Sequence, residues 1–296
     1  MNEALIKIGI AVSYDYQYLT HSLPLIYDFA DEITLAVDSA CRTWTGIQFS
    51  IPDSFWTWIK QIDAQNKIKV YRDDFYLPKL NAMENGTRER NLMAQFMGGG
   101  GWHVTVDCDE YFPDFGAIVR FLRRHSAWTT PGHPPVDIGA FLIPLFKKDN
   151  AGFLYINTFE AFPLATNCPR FKRAGYTGHI IRHIPYFGFH QTWARSEEEA
   201  WIKVNSTGHV VDFNVQSYYN LWKAVDQHNY RYIRNFHPLI PEVWPSLSWG
   251  PGKDIPEFIE NYWRNHPVTV PTRLYLRRRL GQMKKKAVSR FKMRHI

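Results

Sequence analysis

The stretch WHVTVDCDEYF, residues 102–112, decides how the chain is read. Val104 and Val106 alternate with His103, Thr105 and Asp107, which is the period of a strand, and the apolar run stops at three carboxylates, Asp107, Asp109 and Glu110. Such a strand emerges at a surface by its carboxyl end. Acids this close repel one another, so a positive partner has to neutralise them or water has to screen them. Two readings follow. A hard divalent cation, Mg2+ or Mn2+, takes oxygen ligands and bridges to phosphate oxygens. A solvated acidic turn needs no ligand.

Three segments of the same kind precede it. Residues 5–12 form an apolar run of strand length leading to Ser13-Tyr14-Asp15, residues 32–38 end on Asp38, and residues 67–71 lead into Arg72-Asp73-Asp74. Helical patterns separate them at 16–30, 53–65 and 88–97, the last opened by Asn85-Gly86-Thr87 and closed by a run of four glycines at 98–101. Strands alternating with helices predict an α/β fold with a mostly parallel central sheet covered on both faces. Ligands of such sheets sit beyond the carboxyl ends of the strands, which here carry Tyr14, Asp15, Asp38, Asp73, Asp74, Asp107 and Asp109. Downstream the pattern predicts a helix at 113–125 and strands at 137–146 and 152–159. Residues 169–193 are rich in Arg, His and aromatics. A helix capped by Ser196 follows, then a helix at 215–225 and Pro/Trp-rich loops to 249.

Composition narrows the class. Aromatic residues make up 16% and apolar residues 45% of 296 positions, enough for a sizeable core and for aromatic walls in a cleft. Cys41, Cys108 and Cys168 are an odd number at no metal-like spacing, which points to a reducing compartment and a cytoplasmic protein. The first residues read as a strand rather than a targeting signal, and no run approaches the roughly 18 apolar residues of a membrane span. Of the 35 Lys and Arg residues, eleven lie after Glu260, where no acid occurs; 24 remain against 28 Asp and Glu before it. The basicity thus belongs to a tail, residues 261–296, set off from a domain at 1–260 with halves 1–112 and 113–260. As a helix the tail would lie on an anionic membrane surface, at the inner face of the membrane; the other reading is a solvated end. The acidic remainder and the lack of a recognition motif argue against nucleic acid.

From residue 6 to 112, and again at 170–209, the chain resembles family-2-like nucleotide-sugar glycosyltransferases with the GT-A (Rossmann-like) fold. The stretch DSACRTWT, residues 38–45, matches the family's Asp/Ser/Thr turn at Asp38 and Thr45 and departs from it at Cys41 and Thr43. Gly86, Arg90, Asn91, Trp102, Asp107, Asp109 and Glu110 fill the pattern G-x-x-x-R-N followed by W-x-x-x-x-D-x-D-E in order. Arg170-Phe171-Lys172-Arg173 and His190-Gln191-Thr192-Trp193 look like the family's downstream elements.

The resemblance implies transfer of a sugar from a UDP- or GDP-sugar donor to a hydroxyl of a glycan or lipid-linked acceptor, with Mn2+ or Mg2+, in glycan or cell-envelope polysaccharide synthesis. It assigns the metal to Asp109 and His190, His190 alternatively contacting phosphate, with His209 in reserve. Donor contacts fall to Tyr14, Asp38, Asp73, Asp74, Arg90 and Asp107. Arg90 could equally hold the acidic turn, and Glu110 orient it. The family's general-base signature is absent in recognisable form, so Glu160 and His183 are the expected catalytic candidates, with His179 beside them. A nucleotidyltransferase would share the acidic strand end but use a Gly-rich, Lys-containing loop not found here. A non-catalytic glycan- or membrane-binding relative is the third reading.

Overall fold

The computed structural model describes residues 3–276 and 278. Its first half is the expected alternation: strands β1 (Ile6–Ala11), β2 (Glu32–Asp38), β3 (Ile68–Asp73) and β4 (Trp102–Thr105) with helices α1 (Leu19–Ile26), α2 (Asp53–Ile62) and α3 (Ala82–Met97). The four strands lie parallel in the order β3-β2-β1-β4. Ile8 of central β1 pairs with Ile33 on one side and Val104 on the other, and Ile6, Ile8 and Ile10 have no exposed surface. A strand covered on both faces has this unbroken apolar character.

The second half contains β5 (Glu110–Tyr111), α4 (Phe115–Arg124), β6 (Val136–Lys148), β7 (Gly152–Ile156), β8 (Glu160–Thr166) and β9 (Ile180–His190). Then come α5 (Glu197–Ser206), α6 (Val215–Ala224), β10 (Leu247–Pro251) and α7 (Ile255–Asn265). Here the sheet changes character. β8 runs antiparallel to β4, the order continues β8-β6-β7-β10 in antiparallel pairs, and β9 lies parallel to β6 and antiparallel to β5. The expectation of a mostly parallel sheet therefore describes the first half, and the whole sheet is mixed.

Several elements depart from expectation for local reasons. α3 starts at Ala82, two turns before its expected first residues, because Asn81 and Glu84 form a reciprocal capping box. Asn85 lies inside the helix, its side chain bonding Leu77 N at 3.0 Å and Trp44 O at 3.0 Å. Gly86 also lies inside α3 and lets the helix approach the Trp44 ring, since a Cβ there would come within 3.1 Å of it. β8 and β9 carry Pro163 and Pro185, which read as strand breakers, and β6 absorbs them with register irregularities at Ile138/Gly139 and Gly139/Phe141. Helix α7 runs through the expected boundary at 260, burying Phe258 and Tyr262 against Tyr155 and Phe189. Most of the expected basic tail, residues 277 and 279–296, lies outside the described residues. Among the described residues no helix is long and apolar enough to cross a membrane.

Candidate functional site

The carboxyl ends of β1, β2 and β4 open on one cavity of about 240 Å³. Its walls come from the turn after β1 (Ser13, Tyr14, Asp15), the loop after β2 (Asp38, Arg42, Thr43, Trp44), Phe75 and Tyr76 after β3, Glu89 on α3, and Asp107 to Asp109. The second half closes it with His190, Thr192, Trp193, Lys203, Ser206 and Thr207.

Asp109 is the electrostatic centre. It has no exposed surface, and its Oδ2 accepts from Arg195 Nη2 and from Lys203 Nζ at 3.0 Å, with His190 Nε2 at 3.4 Å. Burial alone would raise its pKa, but Lys203, His190 and Arg195 together hold it well below the carboxylate range. Each cation arrives for a local reason. The β5–β9 ladder pairs Glu110 with His190, and Gln191 N bonds Asp109 O at 2.9 Å. The Gln191 side chain, between Tyr111 Oη at 2.6 Å and Ala194 O at 2.7 Å, fixes the turn into Arg195. Arg195 is fully buried, reaches Asp15 at 3.3 Å, and stacks 4.6 Å over the Tyr18 ring. Lys203 is presented by α5, whose Ser196/Glu199 capping box is fastened to the first half by the Tyr18 hydroxyl donating to Glu199 at 3.1 Å.

The acids Asp15, Asp107 and Asp109 thus meet Arg90, Arg195, Lys203 and His190. Protein cations answer much of the charge problem posed by the sequence. Arg90 pairs with Asp107 and holds the acidic turn. Glu110 accepts from Asp107 N at 3.1 Å, orienting that turn, and burial followed by repulsion from Asp107 pushes its pKa up to about 8.

The oxygens still open to a metal are few. Asp109 Oδ1 has no hydrogen-bond partner among the described residues, and the Asp107 side chain is 39% exposed. Among the described residues no group of three or more His, Cys, Asp and Glu is arranged to hold a metal ion. Two carboxylates still fit Mg2+ or Mn2+ where substrate phosphates and water complete the shell. His190 Nε2 sits 3.4 Å from Asp109 Oδ2; burial lowers its pKa, Asp109 outweighs that and raises it, and a metal ion bound there would have to displace the ring proton.

Other expected residues separate. Tyr14 lines the cavity. Asp38 lines it too, but its oxygens already accept from the backbone of Ala40, Arg42, Phe75 and Tyr76 at 3.0–3.2 Å and from the Arg42 guanidinium. It ties the loops after β2 and β3 together instead of facing a donor. Asp73 accepts from the Tyr71 hydroxyl and Asp74 pairs with Arg42; neither lines the cavity. Glu160 accepts from Trp244 Nε1, and His183 packs 5.6 Å from the Phe141 ring, where burial lowers its pKa to about 4. Both lie outside the cavity wall, so the expected catalytic pair is not brought to it. His179 faces Cys168 O and His209 pairs with Asp212. Arg195, Trp44 and Glu89 carried no sequence signal, and Lys203 lies beyond the His190-Gln191-Thr192-Trp193 element.

Comparison with known proteins adds little. No family model and no curated protein matches the chain. Among solved structures, S. aureus TarS residues 1–349 superposes with a TM-score of 0.27 at 15% identity, covering 45% of this chain and 35% of that one. A longer S. aureus TarS structure gives 0.26 at 15%, covering 49% and 22%. The chain therefore spans about a third or less of those proteins, and the functional reading rests on the site itself.

Proposed function

We propose that the cavity binds a nucleoside-diphosphate sugar and that the protein transfers its glycosyl group to a hydroxyl acceptor, in glycan or cell-envelope polysaccharide synthesis. The supporting observation is the meeting of Asp107 and Asp109, from the end of a parallel strand, with Lys203 and His190 in one cavity, and with Arg195 buried against Asp109. In the transfer an acceptor oxygen forms the bond to the anomeric carbon, the bond from that carbon to the diphosphate breaks, and the acceptor proton passes to a base. The leaving diphosphate gains negative charge, which fixed cations at its position stabilise. Lys203 and His190 line the cavity and supply such charge, while buried Arg195 keeps Asp109 from dissipating it. Asp107 and Asp109 Oδ1 would hold Mg2+ or Mn2+, whose chemistry there is Lewis-acid stabilisation of the diphosphate.

The test is thermal shift with nucleoside diphosphates, with and without Mn2+, followed by release of nucleoside diphosphate from matching sugar nucleotides. A diphosphate-dependent rise in Tm and Asp107-dependent release are expected. No shift with any diphosphate in either condition would overturn the reading.

A further inference from the structure

Asp38, the acidic residue at the end of β2, is filled by protein donors, yet the cavity wall beside it retains an acceptor. Glu89, on the cavity-facing side of α3, is 5% exposed. Its Oε2 accepts from Trp44 Nε1, and among the described residues its Oε1 has no hydrogen-bond partner. Trp44 is half-buried, lies against Gly86, and lines the cavity, as does Tyr76, whose ring is braced by Arg42 at 5.2 Å. Glu89 Oε1 is not among the buried unpaired atoms, so it reaches the cavity, where it can accept a ligand N–H. An aromatic wall beside it suits a flat ring.

We propose that Glu89 selects the nucleobase: its free oxygen accepts the ring N–H of uracil or guanine stacked on the Trp44 wall, and bases lacking that N–H are rejected. The proposal rests on the nucleotide-donor reading above and deepens it. Burial, the largest influence on Glu89, pushes its pKa up to about 7, so the group changes charge readily when a donor arrives.

Calorimetric titration of the full chain with UDP, GDP, CDP and ADP, and with the N3-methyl and N1-methyl analogues of UDP and GDP, tests it. One of UDP and GDP is expected to bind at least about tenfold more tightly than CDP and ADP, and methylation of its ring N–H should remove that advantage. Glu89→Gln keeps an acceptor for Trp44 but turns an NH2 toward the base. It should weaken the preferred diphosphate at least about tenfold while improving CDP, whose ring nitrogen accepts. Trp44→Phe, which keeps the ring and loses its N–H, should retain the base preference. Binding that ignores ring methylation, or a folded Glu89→Gln variant with the wild-type order of affinities, overturns the proposal and leaves the donor reading standing. Failure of every diphosphate to bind, with or without Mn2+, overturns both.

Discussion

Where the parallel strands end, the chain places Asp15, Asp38, Asp107 and Asp109; where β9 ends and α5 runs on, it places His190, Arg195 and Lys203. The first set lies at regular positions of a repeating β/α pattern. The second comes from an irregular stretch of mixed sheet and turns. Acids at strand ends are common furniture of an α/β fold, and what gives them chemistry here is the counter-charge brought from the other half. Asp38 makes the point within the first set. Its donors are local, Arg42 and four backbone N–H groups, and it becomes a brace.

Removing the acid on which the second set converges should have the largest effect. Asp109→Ala leaves Arg195 buried with its main counter-charge gone, and breaking such a pair costs about 3–5 kcal/mol. Chemical denaturation should show that loss, together with loss of diphosphate binding. Destabilisation below about 1 kcal/mol would mean that the two halves are not joined through this residue.

A smaller effect belongs to Glu89, an acid of the first half without a cation in contact. Its pKa is raised from 4.5 to about 7 by burial, so the folded state keeps a proton that the unfolded chain releases. That contribution is fully present below about pH 4.5 and is lost as pH rises to about 7. Glu89→Gln should therefore remain stable where the parent declines, with a gain of roughly 3 kcal/mol at most near pH 8. Stability curves of the two proteins that run parallel across this range would refute the assignment.

The smallest test compares one helix cap from each half. Asn81→Ala and Ser196→Ala should each cost about 1 kcal/mol. Only Ser196→Ala should also weaken diphosphate binding, because the cap it forms with Glu199 is fastened to Tyr18 and holds the helix that presents Lys203. Equal effects of the two variants on binding would remove the asymmetry between the halves.

Legibility followed the same division. The strands of the parallel half could be read because burial on both faces forces unbroken apolar runs, and their polar ends mark where the sheet meets solvent. Asp107 and Asp109 were visible for that reason. β8 and β9 were not, since Pro163 and Pro185 interrupt them and it is pairing with distant strands, above all β6, that makes strands of them. Arg195 could not be told from a surface arginine, because its burial depends on partners 86 and 180 positions away. Glu160 and His183 were singled out for the converse reason, residue types that suit catalysis, and the strands that carry them, β8 and β9, leave both outside the lining of the cavity. Asp38 was expected to contact the donor; it lines the cavity, and the backbone donors that also occupy its oxygens could not be read, since they arise from the way two loops fold back.

The ion cluster on Asp109 also bears on how the molecule comes together. Its links span 86 and 94 residues to Arg195 and Lys203, and Arg195 reaches back 180 residues to Asp15. Closing loops of that length costs entropy that local contacts do not repay, so the cluster belongs among late contacts of folding rather than its nucleus. A chain synthesised only to residue 112 has the strand-end acids but not His190, Arg195 or Lys203. The binding cavity is thus withheld until the second half has docked, and an incomplete chain presents repelling carboxylates in its place.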